Sequence, residues 1–119
     1  MAAPNIVNVA TITAKTAVQA VTTTPTDIVS NSAASGTAVK INMLLISNIN
    51  GTTAATITAS VYRSSTEYKV AHVISVPGGA TLAAIDKTTS IYLEEGDTLR
   101  LTASANSYLH AVCSYEILS

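Results

Sequence analysis

The chain has 119 residues, of which 48% are hydrophobic and 11% charged, with a formal net charge of −1 and neither Trp nor Phe. That length is enough for one domain to bury a core without metals or staples. Near-neutrality with six scattered basic residues gives no electrostatic grip on phosphates, which disfavours nucleic acid so that none is expected as a partner, and no apolar run approaches the ~20 residues of a membrane span.

Residues 1–15 read as an extended arm: Ile6, Val7, Val9 and Ile12 are apolar on both parities and precede the better-patterned segments. Such an arm is expected either to fray or to add a strand to a neighbouring subunit's sheet edge, and its stickiness favours the second. It lacks the basic-then-apolar order of a secretory signal.

Residues 16–119 are expected to form the domain. Strands are predicted over residues 17–23 and 26–29, broken at Pro25, and a loop over 31–37 (NSAASGT). Residues 40–49 (KINMLLISNI) are apolar on both parities, which predicts a central strand or one whose outer face meets a partner. Asn50-Gly51 is a tight-turn dipeptide, and residues 55–62 alternate cleanly, Ala55, Ile57, Ala59 and Val61 inward. Residues 63–67 form a polar connection, 68–76 a strand apolar on both faces, and 81–85 a short strand after Pro77-Gly78-Gly79.

Residues 91–105 show period-two patterning on both sides of a turn at 94–97 that contains Gly96, which predicts a β-hairpin. Residues 109–118 close the domain with Leu109, Ala111, Cys113, Tyr115 and Ile117 on one face. About eight strands with regular turn signals and no helical stretch predict an all-β antiparallel sandwich, jelly-roll-like.

Chemistry is sparse. One cysteine, Cys113, excludes an internal disulfide. His110 and Cys113 are three apart on a strand and so point to opposite faces, which denies a thiol nucleophile its base. His72 and His110 lack further ligands at a zinc spacing. Glu94, Glu95 and Asp97 crowd one turn, where oxygen ligands can hold a hard cation, although a solvated acidic turn is the commoner reading. Asn50-Gly51-Thr52 matches a glycosylation sequon that the turn itself explains. Tyr62, Tyr68, Tyr92 and Tyr108 would form a sugar-stacking surface only if they converged; capping the sandwich edges is the plainer expectation. No cofactor, metal or catalytic residue is expected.

Charge placement says more. Residues 1–62 carry only Lys15, Asp27 and Lys40. Charges are depleted where protein covers protein, because desolvating them is costly, and a dispersed monomer normally keeps them. The expected contact residues are Ile6, Val7, Val9, Ile12, Leu44, Ile46, Val73 and Val112, and Lys at Ile46 or Val73 is expected to abolish assembly while sparing the fold.

Four stretches, TAVQAVTTTPTDIVSN (16–31), KINMLLISNINGT (40–52), HVISVPGGATLAAIDKTTSIYLEEGDTLRLTASAN (72–106) and VCSYEIL (112–118), resemble a family of small virion proteins of tailed bacteriophages. The resemblance covers nearly all of the chain after residue 15 and rests on strand and turn phrases, with no catalytic motif. It implies a structural β-sandwich of the virion, on the capsid surface, neck or tail. Joined to the charge-poor surface, it makes capsid decoration or cement the first expectation, as a symmetric oligomer such as a trimer in contact with copies of itself and the major capsid protein. A neck, tail or fibre-base component, and a carbohydrate-binding adhesion module, are the alternatives.

Overall fold

A computed structural model describes residues 11–86 and 88–119. Nine strands follow in chain order: β1 (Ile12–Val21), β2 (Thr26–Ser30), β3 (Ala38–Asn48), β4 (Ala55–Arg63), β5 (Thr66–Val76), β6 (Thr81–Ile85), β7 (Ile91–Leu93), β8 (Thr98–Ala103) and β9 (Leu109–Leu118). Sheet A runs β1-β9-β3-β6, with β7 also paired to β3, and sheet B runs β2-β8-β4-β5. All pairings are antiparallel.

β6 and β7 pair with successive stretches of β3, at Leu44–Ser47 and Val39–Ile41 respectively. They therefore occupy one lane of sheet A, interrupted by the turn that Asp86 closes with its carboxylate on Thr88 and Thr89. Counting that lane once gives two four-lane sheets, the arrangement of a jelly roll. Apart from the β4–β5 hairpin and the β6–β7 interruption, every connection passes from one sheet to the other.

Strands that leave a sheet at each end strand backbone groups, and two buried asparagines collect them. Asn48 donates to the carbonyls of Thr53 and Val76 and accepts from Asn50 N–H. Asn31, near the other end of β3, donates to the carbonyls of Thr37 and Leu93 and accepts from the Ser35 and Thr37 hydroxyls.

Three expectations are corrected. First, residues 12–15 do not belong to an arm: they open β1 and pair with Leu118 back to Tyr115. Ile6, Val7 and Val9 lie outside the described residues. Second, residues 91–105 are no hairpin, because β7 belongs to sheet A and β8 to sheet B. The 94–97 turn is a corner between sheets, closed by Asp97 N–H on the Glu94 carbonyl and by Gly96 at φ 89°. The Asn50-Gly51 turn likewise crosses between sheets. Asn50 Oδ1 accepts from Thr52 N–H, Thr53 N–H and the Thr52 hydroxyl.

Third, Leu44 and Ile46 are core residues, each 0% exposed. The register of β3 against β9 slips between Ile41 and Met43, where Ile41 faces Tyr115 and Met43 faces Ser114. A one-residue bulge exchanges the two faces of a strand. Val39 and Ile41 point inward before it, Leu44, Ile46 and Asn48 after it. The two-sided apolarity of this segment thus encodes one buried face that changes parity.

The core between the sheets is aliphatic. Ile41, Leu44 and Ile46 from β3 meet Leu109 and Cys113 from β9 and, across the gap, Ile57, Leu99 and Leu101. The β4–β5 hairpin turns on Ser64 and Ser65, at φ 51° and 63°. Two central residues at positive φ define a type I′ loop, which favours Asn-Gly. Ser64→Asn with Ser65→Gly is therefore expected to raise stability by about 1 kcal/mol, read as a higher thermal midpoint; an unchanged or lower midpoint would count against this turn geometry.

Candidate assembly surfaces

The outer faces of the two sheets differ in kind. Directly opposed residues share a face, so the register spells out rows that run across the strands. On sheet A the middle row is Val18–Val112–Leu45–Ala83, with Val18 75% and Val112 37% exposed. The next rows are Ala20–His110–Ser47–Thr81 and Thr16–Ser114–Met43. Charge enters only at the end row, Ala14–Glu116–Lys40–Tyr92, where Asn42 Nδ2 donates to Glu116 Oε1 at 2.9 Å.

On sheet B the corresponding row is Asp27–Arg100–Ser60–Lys69. Arg100 Nε donates to Asp27 Oδ1 at 2.9 Å, and its guanidinium carbon stands 3.8 Å from the Tyr62 ring centroid. Ser60 Oγ donates to Glu67 Oε1 at 3.0 Å, which with Lys69 holds that carboxyl below its usual range. One face is built for water; the other is an aliphatic and hydroxyl surface.

A second apolar region lies where the sandwich is open, between β5 of sheet B and the β6–β7 lane of sheet A. A groove there is lined by Val61, Arg63, Tyr68, Ile91 and Tyr92. β5 itself exposes Tyr68, Val70, Val73 and Ile74, and its register slips twice against β4. Val73, at φ 49°, sits in the second irregularity with its N–H on the Thr58 hydroxyl. Bulges of this kind disturb an edge that would otherwise template another strand. On the opposite side, Gln19 of β1 donates to the Asp27 carbonyl of β2.

Arg63, at one end of the groove, is clamped into the corner. Its Nε donates to Asp97 Oδ1 at 2.7 Å, its Nη2 to Asp97 Oδ2, and Nη2 also to Glu94 Oε2 at 2.9 Å. Asp97 is 1% exposed and accepts a further bond from Glu94 N–H at 2.8 Å. Hydrogen bonds from the Arg63 guanidinium, helped by the Glu94 amide, hold the Asp97 carboxyl below its ordinary range against the opposing effect of burial. Glu95 accepts from Gly36 N–H. The three carboxylates that read as a cation site are thus committed to protein donors.

Of the expected contact residues, Val73 and Val112 are exposed, as is Ile12 within β1, while Leu44 and Ile46 are buried. The outward positions that the sequence reading missed are Val18, Met43 and Leu45; the bulge hid the last two. His110 is exposed, whereas Cys113 is buried and its thiol is pushed up to about 12 by burial. His72 and His110 sit on different sheets. The tyrosines do not form one surface: Tyr68 and Tyr92 share the groove, Tyr62 lies under Arg100, and Tyr108 packs on the core. Among the described residues no helix is long and apolar enough to cross a membrane.

No protein-family model and no curated protein matches this chain. Among solved structures, the chain is similar to one from Bacillus endospore appendages, described as a novel family of disulfide-linked pili. The TM-score is 0.52 at 14% identity, over 92% of this chain and 88% of that one. At that identity the likeness is one of fold.

Proposed function

We propose that this protein is a non-enzymatic structural component of a bacteriophage virion, decorating or cementing the capsid through contacts among its own copies and with neighbouring virion proteins. The carrying observation is the outer face of sheet A, charged only in its end row and centred on Val18, Val112 and Leu45, opposite a sheet B that carries charge across its middle. Exposed aliphatic side chains in a contiguous neutral patch mark surfaces that protein covers. Many weak repeated contacts on a lattice add through effective concentration, so no single strong site is required.

The phage assignment is supported by the resemblance of residues 16–31, 40–52, 72–106 and 112–118 to small virion proteins. The pilus subunit of like fold belongs to an assembly linked by disulfides. Here the single cysteine is buried in the sandwich, so association of this chain would rest on non-covalent faces.

Val18→Lys and Val112→Lys are expected to stay folded by circular dichroism and to sediment as single subunits, whereas the unmodified protein sediments as an oligomer. An unmodified protein that remains a single subunit at high concentration would refute the reading. Copy number in the purified particle then separates capsid decoration, present in many copies, from a neck or tail part present in few.

A further inference from the structure

We propose that residues 5–10 (NIVNVA) of one copy dock into the groove between β5 and β7 of a second copy, with Val7 and Val9 set against Tyr68 and Ile91. This rests on the reading of the chain as a self-assembling protein.

In this groove the aliphatic interior approaches the surface from the side. Val61 and Ile91 pack against the core, and Tyr68 is the direct cross-strand partner of Val61. The guanidinium at its end is already matched by Asp97 and Glu94, so an occupant needs apolar side chains and no counter-charge. Residues 1–10 carry no charged side chain. In an extended chain, Val7 and Val9 project to the same side about 7 Å apart, which suits a groove flanked by two strands.

Chain length decides between the molecule's own groove and a neighbour's. Thr11 exchanges both backbone hydrogen bonds with Ser119, 2.9 Å each, at the start of β1. β1 is the outer strand of sheet A on the side away from the groove, and β9 and β3 lie between it and β7. That separation is three strand spacings, about 14 Å. Val9 is two residues from Thr11 and reaches only about 7 Å, so it cannot enter its own groove. A neighbour's arm has no such detour. The bulges in β5 argue that the contact is burial of side chains rather than a regular added strand.

The test uses full-length protein: a tagged Val9→Cys copy is mixed with an untagged Tyr68→Cys copy under mild oxidation, Cys113 being buried and silent. The expected result is a tagged–untagged disulfide at least about tenfold more abundant than with an untagged Val18→Cys copy, because docking raises the local concentration of the two thiols. Adding Val7→Asp to the tagged copy should remove that excess. Equal yields from the two partners, or no disulfide between copies, would overturn the proposal. Sedimentation of the same samples keeps the two readings apart. Oligomers without the disulfide would sink only the arm contact, and single subunits without it would sink both.

Discussion

Ile46→Lys is expected to unfold the protein, and Leu45→Lys, one residue away, to leave it folded. Ile46 is 0% exposed and sits in the aliphatic cluster between the sheets. Lysine there loses the buried side chain's transfer energy and places an ammonium among aliphatic side chains. The combined cost is at least about 5 kcal/mol, comparable to the whole stability of a domain this size. Leu45 opposes Val112 and Ala83 on the outer face of sheet A, where a lysine stem can lie along the sheet with its charge in water. Its cost should stay below about 1 kcal/mol. Urea unfolding followed by circular dichroism reads the first difference, and sedimentation the second, since Leu45→Lys should also lose assembly. A folded Ile46→Lys with an unfolded Leu45→Lys would place the bulge elsewhere and reverse the outward face.

That pair of residues shows where the sequence could be read and where it could not. Alternation in residues 55–62, 98–103 and 109–113 identifies strands and their inward faces, because each keeps one parity throughout. β3 does not. Its apolar residues change parity at Asn42-Met43, and no residue type there announces a bulge, so Leu44 and Ile46 read as outward. The 94–97 corner fails for a different reason. A hairpin and a crossing between sheets both need a tight turn with Gly at positive φ, so the local pattern is the same. What separates them is distant: Asn31 exchanges backbone bonds with Gly96 and Asp97, and β7 finds β3 instead of β8. Surface character was legible from the scarcity of charge in residues 1–62, but which sheet would expose it depended on register.

Asp97→Ala is expected to cost about 3 kcal/mol, the worth of charged hydrogen bonds at a buried carboxylate with its partner half in water. Over a chain of this length that is a fall of roughly 10 °C in thermal midpoint. The substitution removes the two Asp97 oxygens that accept from Arg63, leaving it only Glu94, and removes the acceptor of Glu94 N–H; together these bonds hold the crossing from sheet A to sheet B. Arg63→Ala should be nearly as harmful, because it leaves a carboxylate that is 1% exposed with a single backbone donor. The double variant should then cost much less than the sum of the two. The pH dependence follows from the lowered carboxyl. In the unfolded chain Asp titrates near ~3.9, so the folded protein holds its proton less tightly than the unfolded one. The stability Asp97 contributes is present in full above that value and is lost as pH falls below it toward the lower folded pKa. Asp97→Asn keeps the shape and cannot ionise, so the stability gap between it and the parent should be widest near neutrality and close progressively below about pH 4. A gap that stays constant from neutrality down to pH 3 would mean that the negative charge contributes nothing to the corner, and that its geometry is held by Asn31 and the backbone alone.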